Sequence, residues 1–158
     1  MNKIKYQNGF TLIEMLIVIG LIMFIAAMYL FVDMNTYRGD AFRAEMSIIG
    51  VTLQTARAES MNNVNQNKHG VAFYPTGVDG YVLFEGNSYS TRDQTKDEVT
   101  NASYKINFPS TPTEIVFEQL SGNALYNNIY FDGDISLLDT ERNLSKVISI
   151  NHEGRISW

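Results

Sequence analysis

The stretch Gly9-Phe10-Thr11-Leu12-Ile13-Glu14-Met15-Leu16-Ile17-Val18-Ile19-Gly20 decides how the chain begins, and its apolar run continues to Val32. From residue 15 to residue 32 the sequence contains no charged side chain. A hydrocarbon layer about 30 Å thick is crossed by about 20 helical residues, each rising about 1.5 Å. We therefore predict that residues 10–33 form a helix that spans a membrane.

The charges around this run predict its orientation. Lys3 and Lys5 precede the run and Asp33 follows it, so the positive-inside rule places the N-terminus in the cytoplasm and exports the residues after Asp33. We expect a single-pass protein of the inner (cytoplasmic) membrane. A conventional secretory signal is the competing interpretation, but no A-x-A cleavage site closes the run and an acid interrupts its start.

Glu14 is the acid at the start of the run. A carboxylate near an apolar segment is costly and invites a partner. One explanation is simple hydration at the cytoplasmic interface. The other begins with cleavage between Gly9 and Phe10, which creates an ammonium group at Phe10. A neighbouring subunit's Glu14 then neutralises that ammonium where helices pack away from water.

Residues 9–14, followed by the apolar helix, resemble the N-terminal processing and methylation motif of type IV pilins and pseudopilins. The resemblance implies that residues 1–9 are a leader cut by a prepilin peptidase after Gly9. It implies N-methylation of Phe10 and a role for Glu14 in assembly. The implied partners are other pilin or pseudopilin subunits, an inner-membrane assembly platform, and membrane lipid before assembly into a pilus or pseudopilus.

Helical periodicity resumes after the apolar run and predicts that residues 34–62 form the amphipathic half of one long helix ending near residue 61. Gly39 and Gly50 weaken this helix without ending it. The stripe should pack on the domain that follows. Apolar residues recur at steps of three and four, giving one apolar stripe: Phe42, Met46, Ile49, Leu53 and Ala56.

From Lys68 the apolar period changes to two, which is typical of strands. We predict an α+β fold in which residues 63–158 form an antiparallel sheet or sandwich with the helix packed on one face, a pilin-like arrangement. Residues 91–100 are polar and predict an exposed loop. Strands are predicted at residues 69–74, 81–85, 104–108, 114–119, 129–131, 135–138, 147–151 and 155–158.

A second resemblance involves the end of the helix and the end of the chain. Arg57-Ala58-Glu59-Ser60, a glycine-rich first hairpin, and Ile150-Asn151-His152-Glu153-Gly154-Arg155-Ile156 resemble H-type minor pseudopilins and T-type fimbrial minor pilins. This implies a structural subunit of a type IV pilus or of a type II secretion filament.

Catalytic and cofactor patterns find no support in the sequence. His69 and His152 belong to no metal-ligand spacing, and we interpret both as surface or strand-edge histidines. The serines form no G-x-S-x-G elbow, and the sequence contains no cysteine. We expect neither an enzyme nor a cofactor.

Calcium is the one metal for which the sequence offers candidate ligands. The segment Asp132-Gly133-Asp134, with Asp139 and Glu141 nearby, supplies carboxylate oxygens. It lacks the spacing of an EF-hand loop, and Asp-Gly-Asp is an ordinary turn sequence. We therefore assign no metal site.

A minor pilin whose globular domain binds DNA or another ligand for uptake or adhesion is the alternative function, and an anchored domain that never polymerises is the third. The formal charge is −5, and loss of Lys3 and Lys5 with the leader leaves 10 of 12 basic residues against 17 acidic ones, about −7. This balance argues against a broad nucleic-acid surface. The candidate cations for contacts with DNA are Lys68, Arg92, Lys96, Lys105, Arg142, Lys146 and Arg155. Three of these, Arg142, Lys146 and Arg155, could converge in space to form a basic patch.

Overall fold

The computed structural model of the protein describes residues 9–30, 34–109, 112–140 and 143–158. The chain divides into two compact units between Arg38 and Gly39. Each unit is described by itself below. The predicted functional boundaries after residues 9, 33 and 62 stay predictions.

Two helices account for the first part of the chain. Helix α1 is Leu12–Leu30 and helix α2 is Met34–Met61. The predicted single long helix depends on residues 31–33, which lie outside the described residues. Gly39 and Gly50 both lie inside α2, as predicted, and the helix ends at Met61. Within the described ranges, no helix meets the combined length and hydropathy of a membrane span.

The second unit contains two antiparallel sheets, so the predicted α+β class with antiparallel β-structure is confirmed. The larger sheet has the strand order β3-β2-β1-β4-β5-β6 and the smaller sheet has the order β7-β8-β9. The strands are β1 His69–Phe73, β2 Gly80–Glu85, β3 Glu98–Asn101, β4 Glu114–Phe117, β5 Ala124–Tyr126, β6 Ile129–Tyr130, β7 Gly133–Asp139, β8 Leu144–Ile150 and β9 Ile156–Ser157.

The predicted apolar stripe of α2 is the helical side of the main core. Its five residues are between 0% and 8% exposed. They share one apolar cluster with side chains from both sheets, including Val71 of β1, Ile115 of β4 and Ile148 of β8. The periodicity of the helix therefore reflects burial along one face.

The larger sheet is covered on its other face as well. Val82, Phe84 and Val116 form a second apolar cluster there, and the ring of Tyr89 packs edge-on against Phe84 at 5.7 Å between ring centroids. Strands β1 and β2 are consequently buried along their whole length.

The predicted strand at residues 104–108 is wrong. Only Asn107 pairs with a strand residue, through an isolated bridge to Leu138. The neighbouring amides bond to side chains instead: Ser103 N–H donates to the carboxylate of Glu45 at 3.2 Å and Ile106 N–H donates to the Tyr74 hydroxyl at 3.3 Å. The apolar residues of this segment enter the core without joining a sheet.

Two strands were not predicted. The predicted loop at residues 91–100 is wrong at its end, because β3 begins at Glu98 and pairs with β2 at the edge of the larger sheet. Its charged and polar residues suit an edge strand, where charge discourages pairing with another chain. Strand β5 joins β6 through Asn127 and Asn128, both with positive φ (52° and 60°), as a two-residue hairpin turn requires.

Candidate functional site

The first residues described form the predicted processing site, and Thr11 determines where α1 begins. The Thr11 hydroxyl oxygen accepts a hydrogen bond from the Glu14 N–H at 3.3 Å. The Thr11 carbonyl accepts the first helical hydrogen bond, from Met15 N–H at 3.2 Å. These two bonds make Thr11 the N-cap residue. Gly9 and Phe10 therefore precede the helix.

Gly9 is free of packing constraints in this unit. A Cβ atom built on Gly9 would meet nothing within 4 Å, and its backbone does not adopt the positive φ that favours glycine. Phe10 is 79% exposed. Nothing in the part of the chain that the structure describes therefore requires glycine at residue 9.

Glu14 lies in the first turn of α1, four residues after Phe10. Its side chain is exposed, and no ion pair joins it to another residue that the structure describes. A carboxylate in the first helical turn interacts favourably with the helix dipole. Thr11-x-x-Glu14 also matches a capping box, in which the glutamate accepts from the N-cap amide. This local role is an alternative that sequence reasoning did not consider.

The apolar side chains of α1 are open to their surroundings. The exposure of its large apolar residues ranges from 47% at Val18 to 81% at Leu12. Fully burying such a side chain is worth about 1.5–3 kcal/mol. Within the described residues, these side chains of α1 therefore leave a large apolar surface exposed.

In the second unit, Arg57 joins two of the segments that carried the second resemblance, the end of α2 and residues 150–156. Its Nε donates to the Gly122 carbonyl at 3.3 Å and its Nη2 donates to the Glu153 carbonyl at 3.0 Å. Gly154 has a φ of 75°, and a Cβ there would overlap the Gly122 carbonyl and lie 2.8 Å from Arg57 Nε. Glycine at residue 154 is therefore required by its positive φ and by the Gly122 carbonyl that lies against it.

Ser60 joins the end of α2 to the larger sheet. It is fully buried. Its hydroxyl oxygen accepts from His69 N–H at 2.8 Å and its hydroxyl donates to the Phe117 carbonyl at 3.0 Å. Arg57 thus joins the last turns of α2 to the β4–β5 and β8–β9 turns, and Ser60 joins them to strands β1 and β4. These contacts are structural.

The interpretation of His69 as a surface or strand-edge residue is wrong. The residue is 4% exposed, because β1 is an inner strand with both faces covered. Its Nε2 lies 3.8 Å from a carboxylate oxygen of Glu59 and 4.0 Å from one of Glu85. Burial raises the pKa of Glu59 above its ordinary value; His69 opposes this rise, while Glu98 and Glu85 add to it. His152, in contrast, is exposed in the turn between β8 and β9.

Among the described residues, the carboxylates considered for calcium do not gather into a set of metal ligands. Gly133 and Asp134 begin β7 and do not form a turn, and Ser149 Oγ donates to Asp134 at 2.6 Å. Asp132 and Asp134 line the same shallow cavity as Arg155, a cation. Within the described ranges, no group of three or more histidine and acidic side chains is arranged to hold a metal ion. Glu141 lies outside those ranges.

Two of the cations considered for DNA binding, Lys146 and Arg155, belong to the part of the chain that forms the smaller sheet. Arg155 lies opposite Asn151, next to the pairs that join β8 to β9. Lys146 lies five residues before Asn151, so the backbones of Lys146 and Asn151 are about 17 Å apart at about 3.3 Å per residue. Arg92 Nε is paired with Asp97 at 2.8 Å. Arg142 lies outside the described residues.

The comparisons with known proteins concern the first part of the chain. Residues 4–30 match the family model described as the prokaryotic N-terminal methylation motif. The match confirms the predicted resemblance to type IV pilins and pseudopilins, without separating their subtypes. Searches of curated proteins and of solved structures each found no match. The motif supports a pilin-like subunit of a type IV pilus or secretion filament, a structural class of protein.

Proposed function

We propose that this chain, which carries the N-terminal methylation motif of type IV pilins and pseudopilins, is a filament subunit processed by prepilin peptidase. The peptidase would cut between Gly9 and Phe10, and the new Phe10 amine would be methylated. The observation that carries the proposal is the motif at residues 4–30. The non-helical, exposed position of Gly9 and Phe10 supports it, because a peptidase must reach the bond that it cuts.

Helix α1 has two successive environments in this proposal. It first anchors the precursor in the inner membrane, with the N-terminus cytoplasmic and residues after Asp33 exported. After cleavage, an assembly platform moves the subunit into a filament, where other subunits replace lipid around α1. The exposed apolar side chains of α1 support both steps, since lipid tails and neighbouring helices each remove apolar surface from water.

Glu14 provides the polar contact of assembly. The Phe10 amine of a neighbouring subunit would pair with the Glu14 carboxylate as the helices pack together. In an apolar filament core, a charge that loses its partner is costly. Pairing would therefore favour one axial register between neighbouring subunits.

The experiment must separate the charge of Glu14 from its capacity to cap the helix. Glu14→Gln retains a side chain that suits the third position of a capping box but removes the charge. Glu14→Ala removes both. We expect both variants to insert in the membrane and lose their leader, yet to be depleted at least tenfold from filaments sheared from cells, a factor equivalent to about 1.4 kcal/mol.

Two outcomes would contradict this proposal at different points. Wild-type levels of Glu14→Gln in sheared filaments would exclude the charge pair and leave a capping role for Glu14. Complete retention of the wild-type protein in the membrane, in cells that produce filaments, would instead favour an anchored domain that never polymerises.

From the second unit, we propose that this chain is a minor subunit, similar to H-type minor pseudopilins or T-type fimbrial minor pilins. The support is local: Arg57 and Glu153, from two of the segments that carry that resemblance, are joined by a hydrogen bond of 3.0 Å. Labelling the protein on native filaments tests this assignment. Sparse or terminal label is expected, and continuous label along the shaft would show a major subunit.

A further inference from the structure

The side chain of Thr11 fixes the start of α1, and the proposed function gives this side chain no role in leader removal. The Thr11 hydroxyl occupies the N-cap position, at 3.3 Å from the Glu14 amide that it accepts from. An N-cap residue has non-helical backbone angles, so it ends the helix on its N-terminal side. The Gly9–Phe10 peptide bond lies immediately before this boundary.

We propose that Thr11 is a positioning residue for leader removal: by capping α1 at Leu12, it holds the Gly9–Phe10 bond outside the helix and open to the peptidase. The inference rests on the proposed function. In hydrolysis of this bond, water supplies a hydroxyl to the Gly9 carbonyl carbon and a proton to the Phe10 nitrogen as the C–N bond breaks. The products are the Gly9 carboxylate and the Phe10 ammonium group.

The sequence provides a competing start for the helix. Asn8 is an N-cap residue as good as threonine or better, and a helix capped there would include Gly9 and Phe10 in its first turn. The Gly9 carbonyl would then accept from the Ile13 amide, as helical hydrogen bonds run from residue i to residue i−4. That carbonyl would be less accessible to attack. The Thr11 cap therefore selects the start that leaves the scissile bond free.

The test measures leader removal from full-length precursors by prepilin peptidase in detergent micelles. Thr11→Val keeps the shape of the side chain and removes the capping oxygen. Thr11→Ser and Thr11→Asn both retain an N-cap acceptor, with different shapes. We expect Thr11→Val to be cut about fivefold more slowly, and the other two to be cut within about twofold of the wild-type rate.

Hydrogen exchange at the Glu14 amide supplies a readout independent of the peptidase. The amide should lose protection in Thr11→Val and keep it in Thr11→Ser and Thr11→Asn. Cleavage of Thr11→Val at the wild-type rate would overturn the inference. It would also be overturned if Thr11→Asn were as slow as Thr11→Val while its amide stayed protected, since the peptidase would then recognise threonine directly. Failure of the wild-type precursor to be cut after Gly9 would overturn the proposed function instead.

Discussion

Replacing Gly50 by alanine should destabilise the second unit, although alanine is the better helix former. Gly50 lies inside α2, where a change from glycine to alanine normally stabilises the helix by about 1 kcal/mol. The ring of Trp158, however, covers this position. An alanine Cβ would lie 2.9 Å from Trp158 Cδ2 and 3.0 Å from Cε2 and Cε3. The ring must therefore move away.

The magnitude follows from how much of Trp158 is buried. The residue is 46% exposed, so displacement would expose about half of a side chain that buries up to about 250 Å². At about 25 cal/mol per Å², this costs about 3 kcal/mol. The helix propensity of alanine offsets about 1 kcal/mol, which leaves a net loss of about 2 kcal/mol if the ring is fully displaced.

Urea unfolding of residues 39–158 measures this change, and the emission of Trp158, the single tryptophan of the chain, reports the displacement directly. We expect lower stability and red-shifted emission in Gly50→Ala. In a Trp158→Ala background the same Gly50→Ala change should reverse sign and stabilise by up to about 1 kcal/mol. Stabilisation in the presence of Trp158, with unchanged emission, would refute the reasoning.

Three further outcomes concern the end of α2. Glu59→Gln should stabilise the unit at pH 7 but not at pH 4, as measured by urea unfolding at both pH values. Burial raises the folded-state pKa of Glu59 above 4.5, so its stabilising contribution is complete below the unfolded pKa and is lost as the pH rises through the folded pKa. Arg57→Met should cost about 2 kcal/mol in thermal unfolding, because two carbonyls lose a charged donor. Ser60→Ala should cost about 2 kcal/mol and speed hydrogen exchange of the His69 amide.

Each of these outcomes has a result that contradicts it. A loss of stability at pH 7 in Glu59→Gln would show that the contact with His69 outweighs the cost of burying the Glu59 carboxylate. Asp40→Asn, an exposed acid on the same helix, serves as the control and should have little effect at either pH. An unchanged midpoint in Arg57→Met, or unaltered exchange in Ser60→Ala, would show that the hydrogen bonds seen here contribute little.

The sequence predicts those elements whose burial is one-sided and regular. The stripe that includes Phe42 and Leu53 has the helical period because only one face of α2 meets the core. Strands β1 and β2 were predicted from an apolar period of two, although both faces of each strand are buried. Strand β3 was not predicted, because an edge strand buries little apolar surface and its sequence has no alternation of apolar and polar residues. The pair Asn127-Asn128 could have revealed β5, since it is a hairpin turn signal between Tyr126 and Ile129.

Residues 104–108 and His69 show where local patterns fail. The apolar residues of that segment have the composition of a strand, yet the Ile106 amide bonds to Tyr74 and the adjoining Ser103 amide to Glu45, both distant in sequence. His69 is buried because β1 lies between β2 and β4, and no local pattern shows strand order. Sequence reasoning located the processing residues from a motif, but it missed the capping role of Thr11, which the T-x-x-E spacing could have indicated.

Mass spectrometry of the N-terminal peptide, from protein purified from sheared filaments of its native host, tests the central claim most directly. The account predicts a single N-terminus at Phe10, heavier by one methyl group, with residues 1–9 absent. Filament protein that retains residues 1–9, or that begins at any residue other than Phe10, would contradict it.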